Sequence, residues 1–366
     1  MSSPSPPFIG GLCRHFGTCG GCATQDLPYP EEVLLKEARL REILGHDIRL
    51  RPSLREYFYR TRMDFVCTGD RLGLRPRGSP GGVVDLEECR LISPRAFEAV
   101  CRVRETARRH KIPFYSSRSD RGYLRYVTVR EAPRAGELML VFLTRTDEPL
   151  IRPVLEEAQA LSDAVVWSVS NRRADVSFGM IREFRKRAWI EESIGPFRFR
   201  FGPNSFFQQN PWSVEKLYEH VAEKARGRTT DLFCGVGGIA LFASRTASHV
   251  IGIDLNEESI AFAEQNALRN GSANISFFIG SAGKFLTDHD CDTLLLDPPR
   301  AGIGARHIRK IVSRRPARVI YVSCEPRTLA RELPLFGGYE LEDLAGFDLF
   351  PRTTHVEVVA TLGRVG

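Results

Sequence analysis

Asp231-Leu232-Phe233-Cys234-Gly235-Val236-Gly237-Gly238 is the stretch that decides the fold of the C-terminal half of this chain. An apolar segment runs into a glycine-rich turn, and a helical pattern begins at Ile239. Glycines let the backbone turn tightly and approach a ligand closely. The next apolar segment ends in Asp254, 19 positions after Gly235, where a carboxylate can accept hydrogen bonds from both hydroxyls of a ribose. The glycines follow a G-x-G-G spacing rather than the G-x-G-x-x-G of dinucleotide sites, which argues against a pyrophosphate cradle.

Outward from this turn, apolar strands alternate with helical segments from about Phe199 onward. This alternation predicts an α/β fold with an open, mostly parallel sheet. The segments are Thr229–Phe233, Ile239–Ser244, His249–Asp254, Ser259–Asn270, Ile275–Ile279, Thr293–Asp297, Ala305–Ser313 and Val319–Cys324.

The N-terminal half has a different pattern of predicted secondary structure. Short strands and turns from about Tyr57 to Arg187, interrupted by a helix over Pro94–His110, predict an α+β domain with an antiparallel sheet. A helix with apolar positions at helical spacing is predicted over Pro30–Leu44, ended by Gly45. We therefore expect four regions: 1–24, a tail and a cysteine loop; 25–57, a helical linker docking on the C-terminal domain; 58–198, a central domain; and 199–366, the C-terminal domain.

Composition bounds the class of protein. The chain of 366 residues carries a formal net charge of +7, and its 52 basic residues divide into 45 Arg and 7 Lys. Arginine pairs with phosphate and stacks on bases, but a GC-rich genome gives the same bias. No apolar run is long enough to cross a bilayer, and the first residues do not resemble a secretory signal, so a cytoplasmic protein is expected. The nine cysteines are an odd number and do not suggest a disulfide framework.

Two further strand ends carry reactive groups. Leu294–Leu296 leads into Asp297-Pro298-Pro299-Arg300, where the prolines fix a rigid turn that holds Asp297 in place. Val319–Ser323 leads into Cys324, ahead of a helix start. Helix dipoles and nearby cations lower the pKa of a thiol, so Cys324 is a candidate nucleophile. The alternative fate of a cysteine is a small buried apolar side chain. Cys67, Cys101 and Cys291 suit that alternative.

The C-terminal segment adds a candidate base. A strand pair is predicted around residues 351–359, and Glu357 lies within its apolar run. A buried carboxylate is costly unless it has a task, and a raised pKa would make it a useful general base. Alternation along the strand equally allows Glu357 to face outward.

Taken together, these residues resemble the RNA uracil-C5 methyltransferases, the family that contains the tRNA T-loop enzyme and two large-subunit rRNA enzymes. The resemblance runs from Cys13 to the C-terminus and rests on five motifs in order. The motifs are Phe206-Phe207-Gln208-Gln209-Asn210-Pro211, the Asp231–Gly238 turn, Asp297-Pro298-Pro299-Arg300, Ser323-Cys324-Glu325-Pro326-Arg327-Thr328-Leu329-Ala330-Arg331 and His355-Val356-Glu357.

The resemblance implies a class I S-adenosylmethionine-dependent methyltransferase fold, which is Rossmann-like, and a covalent mechanism on C5 of a uridine in RNA. Cys324 would add to C6 of the base, Glu357 would accept the C5 proton, and Asp297 would support the site. Family cofactor contacts map onto Gln208, Phe233, Gly235, Gly238, Asp254 and Asp297. The chain departs from the family pattern at Glu325, where Asn is frequent, and at Ser281, where an acid or amide often meets adenine.

Cys13, Cys19, Cys22 and the distant Cys89 form a possible ligand set. Four thiolates can enclose an iron–sulfur cluster or a zinc ion, and spacing alone does not choose between them. The resemblance implies a [4Fe-4S] cluster, in a loop completed by Cys89 from the central domain. The C-x3-C-x2-C loop of radical methyltransferases is absent from the sequence.

The RNA target follows from the resemblance as an expectation. The chain reaches Cys13 at once, which leaves no room for the N-terminal β-barrel of longer relatives, so 23S rRNA is favoured over tRNA. The tRNA T-loop, an RNA cytosine-C5 activity and a non-catalytic iron–sulfur RNA-binding protein are the alternatives. Basic segments at Arg102–Lys111, Arg118–Arg130 and Arg182–Arg187 would contact phosphates, or would simply be solvated faces. No membrane and no obligate protein partner are expected, and the protein is expected to be a monomer.

Overall fold

The computed structural model describes residues 11–79, 81–288 and 290–366. The tail predicted at the start of the region 1–24 therefore lies almost wholly outside the described residues. The chain forms two compact units. Unit 1 contains the described residues up to Pro28 together with Arg55–Glu192 and Gly202–Asn204, and unit 2 contains Tyr29–Leu54, Ser193–Phe201 and Ser205–Gly366. The chain thus contributes to each unit from separate stretches of sequence.

The strands and helices of the described chain are as follows. The strands are β1 Leu50–Arg51, β2 Arg62–Thr68, β3 Arg71–Leu74, β4 Val84–Asp85, β5 Leu124–Ala132, β6 Glu137–Thr144, β7 Ala164–Val169, β8 Met180–Arg185, β9 Ile190–Ile194, β10 Phe197–Phe201, β11 Arg228–Leu232, β12 His249–Asp254, β13 Ile275–Ile279, β14 Thr293–Leu296, β15 Arg318–Ser323, β16 Tyr339–Phe347 and β17 Glu357–Arg364. The α-helices are α1 Tyr29–Leu44, α2 Pro94–Arg109, α3 Arg152–Leu161, α4 Val214–Ala222, α5 Gly238–Ala243, α6 Glu257–Arg269, α7 Ala282–Asp288, α8 Ala305–Arg314 and α9 Pro326–Glu332.

Unit 2 is built on an eight-stranded sheet in the order β1-β16-β17-β15-β14-β11-β12-β13. Strands β11 to β15 run parallel to one another, and β17 is antiparallel to both β15 and β16. The α/β fold with a mostly parallel sheet is thereby confirmed. Leu232 is in register with Ile253 and with Leu296, and Leu296 is in register with Tyr321. The chain therefore leaves β11, β12, β14 and β15 at one edge of the sheet.

Helix α1 belongs to unit 2, and its N- and C-termini follow local rules. Pro30 lies in the first turn, where its missing N–H costs nothing, and Gly45 follows the helix with a φ of 70°. Leu40 and Leu44 are buried in a cluster that also contains Tyr321 and Leu329. The apolar face of the helix is therefore part of the core of unit 2.

Unit 1 contains a seven-stranded sheet in the order β4-β3-β2-β5-β6-β7-β8. The expected antiparallel pairing holds for every pair except β6 and β7, which are parallel. A parallel pair needs a crossover connection, and α3 provides it, a helix that the strand-and-turn pattern did not predict. Strands β9 and β10 form a separate two-stranded sheet.

The C-terminal strand pair differs from the prediction. Residues 351–354 are turns and bends, and the last strand begins only at Glu357. Its antiparallel partner is β16, upstream of that turn. Pro351 lacks a backbone N–H, and Arg352 has a φ of 64°, so neither residue suits a regular ladder. No helix in the described ranges has both the length and the apolar character needed to cross a membrane.

Candidate active site

The glycine-rich turn is held by the acid that follows β12. The Asp254 carboxylate accepts hydrogen bonds from the backbone N–H of Gly235 at 3.0 Å and of Asn256 at 2.8 Å. Gly235 and Gly237 have φ angles of 53° and 85°, a region that disfavours other residues. A Cβ on Gly238 would lie 2.5 Å from the Tyr218 hydroxyl. The turn therefore requires glycine for both its conformation and its close packing.

A cavity lies against this turn in unit 2. It is lined by Gln208, Phe233, Gly238 and Asp297, as the sequence predicted, and also by Tyr218 and Asp231. Gly235 lies on this turn, and Asp254, the last residue of β12, is joined to it by the hydrogen bond from the Gly235 N–H. The predicted cofactor residues are thus brought to one place, although they come from separate segments of the chain.

Asp231 is a member of this site whose role the sequence did not reveal. It is fully buried, and neither carboxylate oxygen has a hydrogen-bond partner within the described part of the chain. Burial and the neighbouring Asp297 and Asp254 raise the pKa of Asp231 well above its usual value. A buried carboxyl group without a partner is unfavourable unless a ligand supplies one. The available signal was an acid near the end of the strand β11, four positions before the first glycine of the turn.

Cys324 follows β15, is half-buried, and has Asp297 and Glu357 as electrostatic neighbours. Burial raises the pKa of Cys324 to about 11, and these two carboxyl groups add to the rise while Arg300 opposes it. The sequence predicted a lowered thiol pKa, whereas the acids around Cys324 act on it in the opposite direction. The prediction of a lowered pKa assumed that a helix N-terminus and cations face the thiol, but the charged groups that act on it are mostly acids.

Glu357, the first residue of β17, is 3% exposed. One of its carboxylate oxygens has no hydrogen-bond partner in the described residues. Burial raises its pKa well above the usual value, Asp297 adds to the rise, and Arg300 opposes it. Burial also raises the pKa of Asp297 itself to about 7. Glu357 therefore faces the protein interior. The alternation of residues along the strand had also allowed it to face solvent.

Cys324 lines a second cavity, of about 90 Å³, which includes His355 and the α1 residues Lys36 and Arg39. Asp297 connects the two cavities electrostatically, because it lines the first cavity and its charge acts on the thiol that lines the second. The sequence did not indicate that α1 forms part of the wall around Cys324.

The four predicted ligand cysteines come together in unit 1. Burial raises the pKa of Cys22 to about 12, and the neighbouring thiols of Cys89, Cys19 and Cys13 add to that rise. All four are free thiols, and the Gln25 amide donates a hydrogen bond to the sulfur of Cys22 at 3.0 Å. Within the described ranges, no three or more His, Cys, Asp or Glu side chains are arranged as a finished metal site. The thiols therefore converge without forming a closed ligand cage.

One predicted RNA-contacting segment is partly structural. In Arg118–Arg130, Arg125 is 2% exposed and Arg130 is 1% exposed. Arg125 donates to the backbone carbonyls of Ser170, Arg172 and Ala174, and Arg130 donates to that of Gly202. The expectation that these two side chains contact phosphate is wrong, because both side chains are buried and donate to backbone carbonyl groups of the protein.

The parallel sheet, the glycine-rich turn at the end of β11 and the acid after β12 define a class I S-adenosylmethionine-dependent methyltransferase. The family described as tRNA (Uracil-5-)-methyltransferase matches residues 186–365. The chain is 32% identical over 362 residues to the tRNA (uracil(54)-C(5))-methyltransferase of Pyrococcus furiosus, covering 99% of this chain and 87% of that relative. An RNA methyltransferase of uncharacterised specificity from Halalkalibacterium halodurans is 33% identical, covering 99% of this chain and 85% of the relative.

A solved structure gives the same result. The Pyrococcus abyssi tRNA (uracil-54, C5)-methyltransferase in complex with S-adenosyl-L-homocysteine superposes with a TM-score of 0.83 at 32% identity, covering 94% of this chain and 84% of that one. This chain belongs to the tRNA (uracil-5-)-methyltransferase family. It is an S-adenosylmethionine-dependent RNA uracil-C5 methyltransferase.

Proposed function

We propose that the protein methylates a T-loop uridine of tRNA, equivalent to position 54, with Cys324 as nucleophile and Glu357 as the base. The observation that carries the chemistry is the electrostatic grouping of Cys324, Glu357 and Asp297, of which Asp297 also lines the cofactor cavity. The names of the Pyrococcus relatives favour tRNA over the 23S rRNA expected from the length of the N-terminal region. Ribosomal RNA is the second candidate, supported only by that resemblance.

The cofactor fits the residues present. Asp254 would accept from the ribose hydroxyls, and the partnerless Asp231 carboxyl group offers a counter-charge for the amino group of the methionine part. Gln208, Phe233 and Gly238 line the same cavity. Bound S-adenosylmethionine supplies an electrophilic methyl group attached to a sulfonium.

The chain's own groups account for the rest of the reaction. The Cys324 thiolate forms a bond from Sγ to C6 of the uracil, and the C5–C6 electron pair moves onto the O4 enolate. C5 thereby becomes nucleophilic and would take the methyl group as the methyl–sulfonium bond breaks, so that S-adenosyl-L-homocysteine leaves. The Glu357 carboxylate then accepts the C5 proton, and the Sγ–C6 bond breaks to return the thiolate. The target base must leave its stack to reach Cys324.

We also propose a [4Fe-4S] cluster held by Cys13, Cys19, Cys22 and Cys89. The convergence of four thiols with mutually raised pKa values supports this proposal, because a metal stabilises the thiolate forms that burial opposes. Methyl transfer needs no electron, so the cluster would have a structural role in unit 1. Zinc is the alternative that four thiolates also suit.

The test uses the purified protein with labelled S-adenosylmethionine and transcripts of tRNA and of 23S rRNA fragments. We expect 5-methyluridine in the tRNA T-loop, and a covalent adduct on tRNA containing 5-fluorouridine but not 5-fluorocytidine. Cys324→Ala should abolish both while retaining RNA binding. Cys291→Ala, at a half-buried cysteine packed beside the unit 2 core, is the matched control and should stay active. Methylation of rRNA alone would contradict tRNA as the target. Methylation by the Cys324→Ala variant would contradict the proposed mechanism.

A further inference from the structure

We infer that the loop of residues 170–175 in unit 1, with the cavities on its two sides, binds unpaired nucleotides of the RNA substrate. This inference rests on the proposed function only in requiring an RNA substrate, whichever uridine is modified. The loop reads Ser170-Asn171-Arg172-Arg173-Ala174-Asp175. It was not among the basic segments that the sequence singled out.

The side chain of the buried Arg125 holds the backbone of this loop in place. The buried Arg125 guanidinium donates to the Ser170 carbonyl at 2.8 Å, to the Arg172 carbonyl at 2.6 Å and to the Ala174 carbonyl at 2.7 Å. Arg125 in turn lies over the Tyr115 ring, 4.8 Å from its centroid. A loop held at three carbonyls loses little conformational entropy on binding, because its backbone is already ordered.

The first cavity has a volume of about 530 Å³ and is lined by Ser170–Arg172 of the loop, by Arg145 and by the apolar Phe178 and Met180. Phe178 is 49% exposed and Met180 is 74% exposed. The Phe178 ring has no aromatic partner within the described chain. An exposed ring beside arginines is the arrangement that stacks unpaired bases, because every base offers a π face.

The second cavity, of about 390 Å³, lies on the other side of the loop and is lined by Arg173, Arg118, Tyr115 and Tyr126. Both cavities fall in the size range of small-ligand sites. The Arg145 guanidinium lines the first cavity and lies 5.9 Å from the centroid of Tyr115, which lines the second. The loop therefore separates two adjacent pockets that each combine an aromatic ring with arginine.

The charged residues around the two cavities indicate which class of ligand they would bind. Arg172 and Arg118 have no acidic partner in the part of the chain that the structure describes. Arg173 and Arg145 share the single carboxylate of Asp120, at 3.3 Å and 3.0 Å. Asp147 in the first cavity and Asp175 in the second are paired with Arg182 and Arg75. The positive charge that is left favours phosphate, and the aromatic walls favour bases, so an RNA strand fits better than an acidic peptide.

The experiment measures the affinity of catalytically inactive Cys324→Ala protein for fluorescent tRNA as a function of salt. Phe178→Ala should weaken binding about 5- to 100-fold, and Phe178→Tyr should restore it, because tyrosine keeps the stacking surface. The Arg172→Ala/Arg173→Ala double variant should weaken binding and reduce the slope of log affinity against log salt by about 1.4 for an unpaired strand. Arg306→Ala/Arg309→Ala on α8 is the control of equal charge, at exposed residues that line neither cavity and lie outside the basic segments predicted to contact RNA.

The same substitutions in the active background separate this inference from the proposed function. Turnover at saturating RNA should stay unchanged while KM rises, since these residues are not placed in the catalytic site. Equal loss of affinity in the α8 control would overturn the inference in favour of unspecific attraction. Unchanged affinity in Phe178→Ala and in the double variant, with unfolding curves like the parent's, would assign the surface to something other than RNA.

Discussion

Three acidic groups, Asp297, Cys324 and Glu357, act on one another at the edge of the unit 2 sheet. Burial raises the pKa of each, and the charges of Asp297 and Glu357 raise that of Cys324 further. Arg300 is the cation that opposes the rise for Cys324 and Glu357. A thiolate and a carboxylate can therefore coexist here most easily when a further positive charge is bound, which a sulfonium cofactor would supply.

At the residue scale, Glu357→Gln should block removal of the C5 proton while leaving methyl transfer possible. The amide keeps the shape of the side chain but cannot take the C5 proton. We expect methyl transfer to proceed to a Cys324–RNA adduct that accumulates, with multiple turnover reduced at least ~100-fold. Gel electrophoresis under denaturing conditions with natural tRNA detects the adduct. Rapid turnover without adduct would assign the base elsewhere.

The reactivity of Cys324 should depend on pH in a defined direction. With a pKa of about 11, the thiol is mostly protonated at neutral pH, so its alkylation rate should rise with pH up to that value. Arg300→Gln removes the cation that favours the thiolate, so the pKa should rise further and the rate profile should move to higher pH. Mass spectrometry of the peptide containing Cys324, after timed iodoacetamide treatment, measures both profiles. A shift to lower pH in Arg300→Gln would contradict this account.

At the element scale, α1 is fastened to the turn before β17 by buried charges. Lys36 lies 2.7 Å from Glu32 and 3.0 Å from Asp348, and it donates to the Phe350 carbonyl at 3.2 Å. Glu32 also pairs with Arg352 at 3.4 Å, and the Tyr29 hydroxyl donates to Asp348. This network fixes the segment that leads into Glu357.

Lys36→Met should destabilise unit 2 by about 3–5 kcal/mol at neutral pH, because it leaves buried carboxylates without their cation. Removing Lys36 raises the pKa of Asp348, so the loss should shrink as the pH falls and the carboxyl groups gain protons. Urea denaturation at several pH values measures it. Arg41→Met, which breaks the exposed Arg41–Asp47 pair, is the matched control and should cost no more than about 1 kcal/mol. Equal losses in the two variants would mean that the buried network contributes little.

At the scale of the whole molecule, the N-terminal cysteine loop belongs to unit 1 although 29–54 belong to unit 2. The chain thus crosses between units soon after Cys22. Three ligands from the loop and Cys89 from later in unit 1 would tie the start of the chain to the body of that unit.

Protein purified without oxygen should therefore contain about four irons per chain, with the broad visible absorbance of an iron–sulfur cluster. Cys22→Ser should lose the iron and lower the unfolding temperature of unit 1. Cys101→Ser is the control, since this half-buried thiol on α2 is not one of the four. One zinc per chain in place of iron would overturn the cluster and support the tetrahedral alternative.

Much of unit 2 was determined by local sequence. The β–turn–α pattern around Asp231–Gly238 specifies parallel strands, because alternating apolar strands and helices can bury their apolar faces only in that arrangement. The strands His249–Asp254 and Ile275–Ile279 agree with the prediction to the residue. The sequence therefore determined that Asp254, Asp297 and Cys324 leave the sheet at one edge.

Tertiary structure decided what surrounds those residues. Four features depend on contacts between distant segments of the chain. They are the acids that raise the pKa of Cys324, the α1 residues that line the cavity beside it, the parallel pairing of β6 with β7, and the support of the 170–175 loop by Arg125. Periodicity reports which face of an element is apolar, but the electrostatic neighbours of a group are set by packing. For this reason the sequence named the reactive groups, and only the folded chain determined their protonation and their partners.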